Sequence, residues 1–351
     1  MRYGYWTPIY GGFLRNVGDE GMPATFDYVK KVSQTADRLG YDLTLVPELY
    51  LNDRKGVTAP SLEAWELAAA IAAVTEHVEI MVAVRPGFHL PAVLAKRAAT
   101  LDDISHGRLA LNVVSAWWAQ EAKQYGGIFG VHDERYARTE EWVDVVTGLW
   151  RETPFSYDGS FYTVEDAILE PKPQRRPPIW AGGESEGGKA SIATFADAYV
   201  MHGGTVEEVG GKIAEMARRR EAIGKDPFVE TGMAAYVIVR DTEREARAEL
   251  ERITTVPVEG AGASYASYRE FVQHSQLERS VSLQEYSVGT RGLRPGLVGT
   301  AEQVAEKLLA YEEAGLGLVL LQSSPLDSEL ERIAEQVFPL VGRTARLPAL
   351  V

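Results

Sequence analysis

Short apolar runs alternate along this chain with longer stretches whose apolar positions recur every three to four residues. The runs at 2–6, 43–46, 79–84, 109–114, "PPIWAGG", 197–201, 233–240 and 317–322 read as strands. The periodic stretches predict helices at 25–39, 61–75, 91–105, 133–150, 186–195, 205–223, 243–254, 300–314 and 327–340. Gly40 caps the first helix and "SHGR" ends the third. "PFSYDGSFYTV" reads as a hairpin around Asp158-Gly159.

Eight strand-helix alternations predict a parallel sheet with right-handed crossovers. The expected class is α/β, and the expected architecture a (β/α)8 TIM barrel of typically ~250 residues before insertions. The extra length sits mainly in 255–298, a polar segment with weak periodicity. It reads as an active-site insertion or lid at the C-terminal face, inside a single domain spanning 1–351. A doubly wound open sheet is the alternative. Nothing like G-x-G-x-x-G follows the first strand, which counts against a dinucleotide site there.

Composition narrows the functional classes. A formal net charge of −14 repels phosphate backbones, so nucleic acid is not an expected partner. The absence of cysteine removes disulfides, thiolate nucleophiles and cysteine-ligated metals. No apolar run approaches the ~18 residues of a membrane span, and "MRYGYWTPIYGG" lacks the apolar centre of a signal peptide. A cytoplasmic protein without membrane partners is expected.

Chemistry in such a barrel belongs at the C-terminal ends of the strands. The fourth strand ends in "LALNVVSAWW", where Asn112 and Ser115 interrupt an apolar run and Trp117 and Trp118 follow. An amide can donate and accept against the edge of a heterocycle, and an indole forms an apolar wall with one donor. A strand end with a polar cap and half-buried indoles would look the same. Other strand ends add candidates: Trp6 in "YWTP", Arg85 and His89 in "AVRPGFH", and the Gly-rich turn "WAGGESEGGK" opening a helix. Free N–H groups at that helix start suit an anion, although Glu184 works against one. His89 and His202 follow the third and sixth strands as candidate proton-shuttling groups on the substrate side. His132 reads as ordering a helix start with Asp133, and no H-x-x-x-H spacing predicts a metal.

Taken together, "YWTP", "NVVSAWW", "HDERYARTEEW", "LEPKPQRRPPIWAGGES", "YVIVRDT" and "GLRPGLVGT" resemble the bacterial luciferase-like, flavin-dependent monooxygenases. The resemblance covers nearly the whole chain. Within the family, it looks like the sulfur-scavenging branch, which includes dimethyl sulfone and alkanesulfonate monooxygenases. It implies an FMN at the barrel mouth, supplied reduced by a separate NAD(P)H-dependent flavin reductase, with dioxygen as co-substrate. It also implies a homodimer or homotetramer. The cofactor performs the oxygen transfer while the protein positions it and excludes water. By the same resemblance, Asn112 faces the isoalloxazine and Ser115 is its neighbour. Ala83 and Val84 lie beneath the ring. Tyr136 and Ser185 hold the phosphate, with Gly183 and Glu184 in the same turn; Glu184 stands where relatives carry a serine. Arg294, with Arg291 as a nearby substitute, aligns with a lid arginine whose guanidinium could clamp substrate oxygens. Trp6, Trp117 and the 255–298 insertion could form walls and a lid.

Departures from alkanesulfonate monooxygenase lie on the substrate side. Its cysteine position falls on Ser61, its strand-seven arginine and histidine on Ala234 and Tyr236, and a strand-eight tyrosine on Ser324. An anionic sulfonate would lose much of its complement there, so a small neutral sulfone, or another neutral molecule, is the expected substrate class. Tyr236 remains a catalytic candidate and equally a strand aromatic. Competing readings are oxygenation of a nitrogen heterocycle or natural-product intermediate, a deazaflavin-dependent oxidoreductase, and a non-catalytic flavin-binding relative.

Overall fold

The computed structural model describes residues 1–115, 118–130, 132–256, 262–274, 279–288 and 292–343. In chain order the strands are β1 Arg2–Trp6, β2 Leu43–Val46, β3 Glu79–Val84, β4 Leu109–Val113, β5 Phe155–Asp158, β6 Thr163–Ala167, β7 Ile179–Ala181, β8 Ala198–Met201, β9 Thr231–Tyr236, β10 Ile238–Val239, β11 Val298–Gly299 and β12 Leu318–Gln322. The helices are α1 Phe26–Leu39, α2 Ala64–Val74, α3 Pro91–Ile104, α4 Ala119–Tyr125, α5 His132–Arg151, α6 Glu186–Phe195, α7 Val206–Ala222, α8 Glu243–Thr254, α9 Tyr268–His274, α10 Leu283–Tyr286, α11 Ala301–Glu313 and α12 Leu326–Gln336. Eight strands close into a parallel barrel in the order β1-β12-β9-β8-β7-β4-β3-β2. Helices lie between them, as the eightfold alternation predicts. Among the described residues no helix is long and apolar enough to cross a membrane.

The period-two alternation of strands sorts the barrel's side chains. Leu43, Leu45, Met81, Ala110, Trp180, Ala198, Leu318 and Leu320 form one buried cluster that fills the interior. Residues of opposite parity, such as Leu109, Leu111 and Val113, pack outward against α2, α3 and α5. Gly4 shares the interior, and a Cβ there would come within 2.9 Å of Leu320 and of the Leu43 carbonyl. One step further along the inward parity lies the mouth layer. Met81 leads to Ala83, Ala110 to Asn112, Val200 to His202 and Leu320 to Gln322.

Local chemistry sets the element ends. The Thr25 hydroxyl accepts from Tyr28 N to start α1, and Gly40 stops it at φ 84°. The predicted helix 61–75 begins only at Ala64, because the Glu63 carboxylate accepts from Glu66 N as its cap. The expected strand 233–240 starts earlier and breaks after Tyr236: Val237 N donates to Gln322 O, while Ile238 and Val239 pair with Val298 and Gly299. Helix α4 falls in a stretch that reads as loop. With seven residues it is too short to carry a visible period, and Gly126 ends it at φ 68°. The segment expected as an insertion contains the short helices α9 and α10.

Candidate active site

The mouth is rimmed by polar atoms that are buried yet lack a hydrogen-bond partner. They include Trp6 Nε1 at the end of β1, Arg85 Nη2 beyond β3, Asn112 Oδ1 on β4 and Ser323 Oγ beyond β12. Arg54 Nη1, in the loop after β2, is another. Buried polar atoms are ordinarily satisfied, and leaving one unpaired costs ~1–3 kcal/mol. A run of such atoms at the strand ends is what a ligand-binding mouth would show. Three kinds of donor and one amide acceptor match the edge of a heterocycle that both accepts and donates. Asn112 lies in register with Ala83, so the two share the floor of the mouth.

A second feature lies at the start of α6. Ser185 is its N-cap: the hydroxyl accepts from Gly188 N at 3.0 Å and lies 2.9 Å from the Tyr136 hydroxyl on α5. A Cβ at Gly188 would meet Tyr136 Oη at 2.8 Å and Ser185 Oγ at 2.9 Å, so only glycine leaves this cradle open. The hydroxyl pair and the positive end of α6 suit a phosphate. The nearly buried Glu184 carboxylate lies 3.2 Å from His202 Nδ1 and 3.6 Å from Lys212 Nζ. The like charge that the turn carries in sequence thus has two basic groups beside it, from the end of β8 and from α7. Gly183 contributes its carbonyl, which accepts from Tyr199 Oη at 2.9 Å.

The remaining candidates scatter. His89 Nε2 lies 2.5 Å from Glu48 Oε1. Glu48 Oε2 also accepts from Arg85 N at 3.0 Å and from Arg85 Nε at 3.2 Å. Arg85 Nη1 reaches Glu121, and the guanidinium lies over the Phe88 ring at 4.1 Å. Burial works against the charge on Arg85, but Glu48 and Glu121 more than offset it and hold its pKa above the ordinary value. This is a buried, charge-rich support behind the strand ends. The Ser61 hydroxyl is committed to the Leu49 carbonyl at 2.8 Å. The Ser324 hydroxyl donates to Glu20 Oε2 at 2.6 Å. Burial pushes the Tyr236 phenol well above its ordinary value, so it stays protonated. Ser115 lines a narrow cleft with Gly87, Ile128 and Thr139. Arg294 forks onto Glu208, and both line a cavity of about 220 Å3 with His202 and Lys212. Trp117 and Arg291 lie outside the described residues.

Glu48, Glu20 and Arg54 were not singled out from sequence. Each acts through partners distant along the chain or sits in a loop without periodicity. The only local hint was an acidic or basic residue in the loops that follow β1 and β2.

Comparison with known proteins identifies the family and the fold. The model of the luciferase-like monooxygenase family matches residues 1–317. The FMNH(2)-dependent dimethylsulfone monooxygenase of Pseudomonas putida is 32% identical, over 97% of this chain and 95% of that protein. A long-chain alkane monooxygenase structure superimposes with a TM-score of 0.82 at 19% identity, covering 98% of this chain and 92% of that one. DmoA from Hyphomicrobium sulfonivorans superimposes at 0.75 with 22% identity, over 98% and 88%. These two likenesses bear on the fold alone. With most of its length matched by the family model, the chain belongs to the luciferase-like monooxygenase family.

Proposed function

We propose that the protein is a reduced-FMN-dependent monooxygenase that uses dioxygen to oxygenate a small organosulfur compound, with a neutral sulfone favoured over an alkanesulfonate. The relatives named for dimethylsulfone support the substrate class. The observation that carries the cofactor is the pairing of an orphaned acceptor, Asn112 Oδ1, with the Tyr136–Ser185 cradle at α6. Asn112 would meet an N–H of the isoalloxazine edge, with Ala83 beneath the ring and Ser115 beside it. Tyr136, Ser185 and the first amides of α6 would hold the phosphate. Reduced FMN, when bound, supplies the electrons that activate dioxygen for transfer of one oxygen atom.

The chain's own residues then bind, orient and exclude water. Trp6 walls the mouth, and 255–298 covers it as a lid within one barrel domain. Arg294, His89, His202 and Tyr236 are the substrate-side groups of this reading. A separate NAD(P)H-dependent flavin reductase supplies the reduced cofactor, and the working form is a homodimer or homotetramer. Neutral side chains at Ser61, Ala234, Tyr236 and Ser324 favour the sulfone, because a sulfonate would find little opposite charge there.

The test is oxygen consumption with product mass analysis, using purified protein, FMN, a flavin reductase and NADH. The panel is dimethyl sulfone, methanesulfonate, longer alkanesulfonates and uracil. Product formation greatest with dimethyl sulfone is expected. Turnover restricted to long sulfonates or uracil would overturn the substrate assignment.

A further inference from the structure

Among the rim atoms, one group belongs to no predicted constellation. Arg54 sits in the loop between β2 and α2, and only 9% of the residue is exposed. Its backbone is pinned: Asn52 Oδ1 accepts from Arg54 N at 2.9 Å and from Lys55 N at 2.8 Å. Asn52 Nδ2 in turn donates to Tyr10 O at 2.9 Å and Pro60 O at 2.7 Å. The loop therefore presents the guanidinium in a fixed place.

Arg54 shares its carboxylate with a second guanidinium. Asp53 faces two guanidiniums, with Oδ2 2.8 Å from Arg15 Nη2 and Oδ1 3.3 Å from Arg54 Nε. Arg15 is fully engaged elsewhere as well: Nε donates to Tyr286 O at 2.9 Å, and Nη1 reaches Ser264 O at 2.6 Å. Lys55 and Glu20 pair with each other at 2.6 Å. Among the described residues Arg54 Nε and Nη1 have no hydrogen-bond acceptor. Burial works against the charge, yet Asp53 and then Glu20 hold the pKa of Arg54 above its ordinary value. Buried N–H donors without acceptors are costly, and a fold keeps them where a ligand supplies the missing acceptor.

The position fits that use. Arg15 ties the loop after β1 to Asp53 in the loop after β2 and to Ser264 and Tyr286 of the insertion. Arg54 thus lies on the C-terminal side of the barrel, under the insertion. Tyr10, which is coupled to Arg54, is also coupled to Glu121 and Arg85 behind the ends of β3 and β4. The second ionic group there is closed, since Glu121 takes Arg85 and the amides of Tyr50 and Leu51. It leaves no carboxylate for Arg54.

We propose that Arg54 is a substrate-binding residue whose free guanidinium edge donates to a sulfonyl oxygen. This rests on the organosulfur reading above and adds, beside Arg294, a second guanidinium able to orient S–O bonds. A planar fork suits two oxygens on one sulfur better than an ammonium does.

The experiment titrates dimethyl sulfone and methanesulfonate into the full chain loaded with reduced FMN, without dioxygen, by calorimetry. Wild type, Arg54→Gln and Arg54→Lys are compared. Both probes should bind wild type, weaken by about tenfold or more in Arg54→Gln, and weaken less in Arg54→Lys. FMN affinity is titrated in parallel, and a loss confined to FMN overturns the assignment to substrate. Equal probe binding in all three proteins, or no binding to wild type, overturns the assignment. Arg54-dependent binding without any organosulfur product in the turnover assay would leave Arg54 standing and remove the proposed reaction instead.

Discussion

Arg294 and Glu208 lie 86 residues apart, yet Arg294 Nε and Nη2 close a two-pronged contact on the Glu208 carboxylate at 2.7 and 2.5 Å. The same carboxylate closes the capping box of α7 with Thr205. A candidate lid arginine is thus anchored to α7, the helix that follows β8. Arg279 adds a third basic contact at 3.1 Å.

That anchoring has a pH signature. Hydrogen bonding from Arg294 holds the Glu208 carboxyl at about 2, below its ordinary 4.5. A carboxylate depressed on folding stabilises fully above its unfolded value and loses that contribution as pH falls through the folded one. The stability advantage of wild type over Glu208→Gln should therefore be constant from pH 7 to 5. It should shrink between 4.5 and 2. Thermal unfolding of both proteins across that range measures it. An advantage that grows on acidification would contradict the assignment.

The phosphate cradle is tested by charge. Ser185→Asp keeps a capping oxygen for α6 but sets a carboxylate beside Tyr136. Loss of about 1.5–3 kcal/mol of charge-assisted contact means FMN binding weaker by roughly 10- to 150-fold, read by flavin fluorescence titration. An unchanged titration would take this turn out of the cofactor site.

Asn112 separates ligand contact from folding. Its Oδ1 is buried without a partner, so Asn112→Leu removes an unsatisfied acceptor at similar volume. The melting temperature should hold or rise, while FMN binding weakens by about tenfold. A large loss of stability with unchanged flavin affinity would make Asn112 a structural residue.

The support behind the strand ends should behave in the opposite way. Glu48→Ala leaves Arg85 buried with half its partners and frees His89. Breaking a buried charge pair costs about 3–5 kcal/mol. Denaturant unfolding should show a loss of that size, and a loss under about 1 kcal/mol would mean that the network is solvated.

Much of the site was readable because it is local or periodic. Asn112 lies on the inward parity of a five-residue strand, two residues after Ala110, and its burial follows from that count. Tyr136 and Ser185 come from two motifs whose elements, α5 and α6, pack side by side. What escaped is set by pairing across loops. Glu48 meets Arg85 over 37 residues, and Glu20 meets Ser324 over 304. No period links such partners, so their charge reads as ordinary surface until the barrel closes. Arg294 shows the same limit: its motif was visible, but its partner on α7 was not. Helix α4 was missed because about two turns carry no clear repeat, and the break after Tyr236 because an apolar run continues through it.

The central claim is that this mouth is the site of reduced FMN, and an anaerobic titration tests it most directly. Wild-type protein is titrated with reduced FMN and, separately, with oxidised FMN. The account predicts one reduced FMN per chain, bound more tightly than the oxidised form, with both Asn112→Leu and Ser185→Asp weakening it. Absence of saturable FMN binding, or binding indifferent to both substitutions, would contradict it.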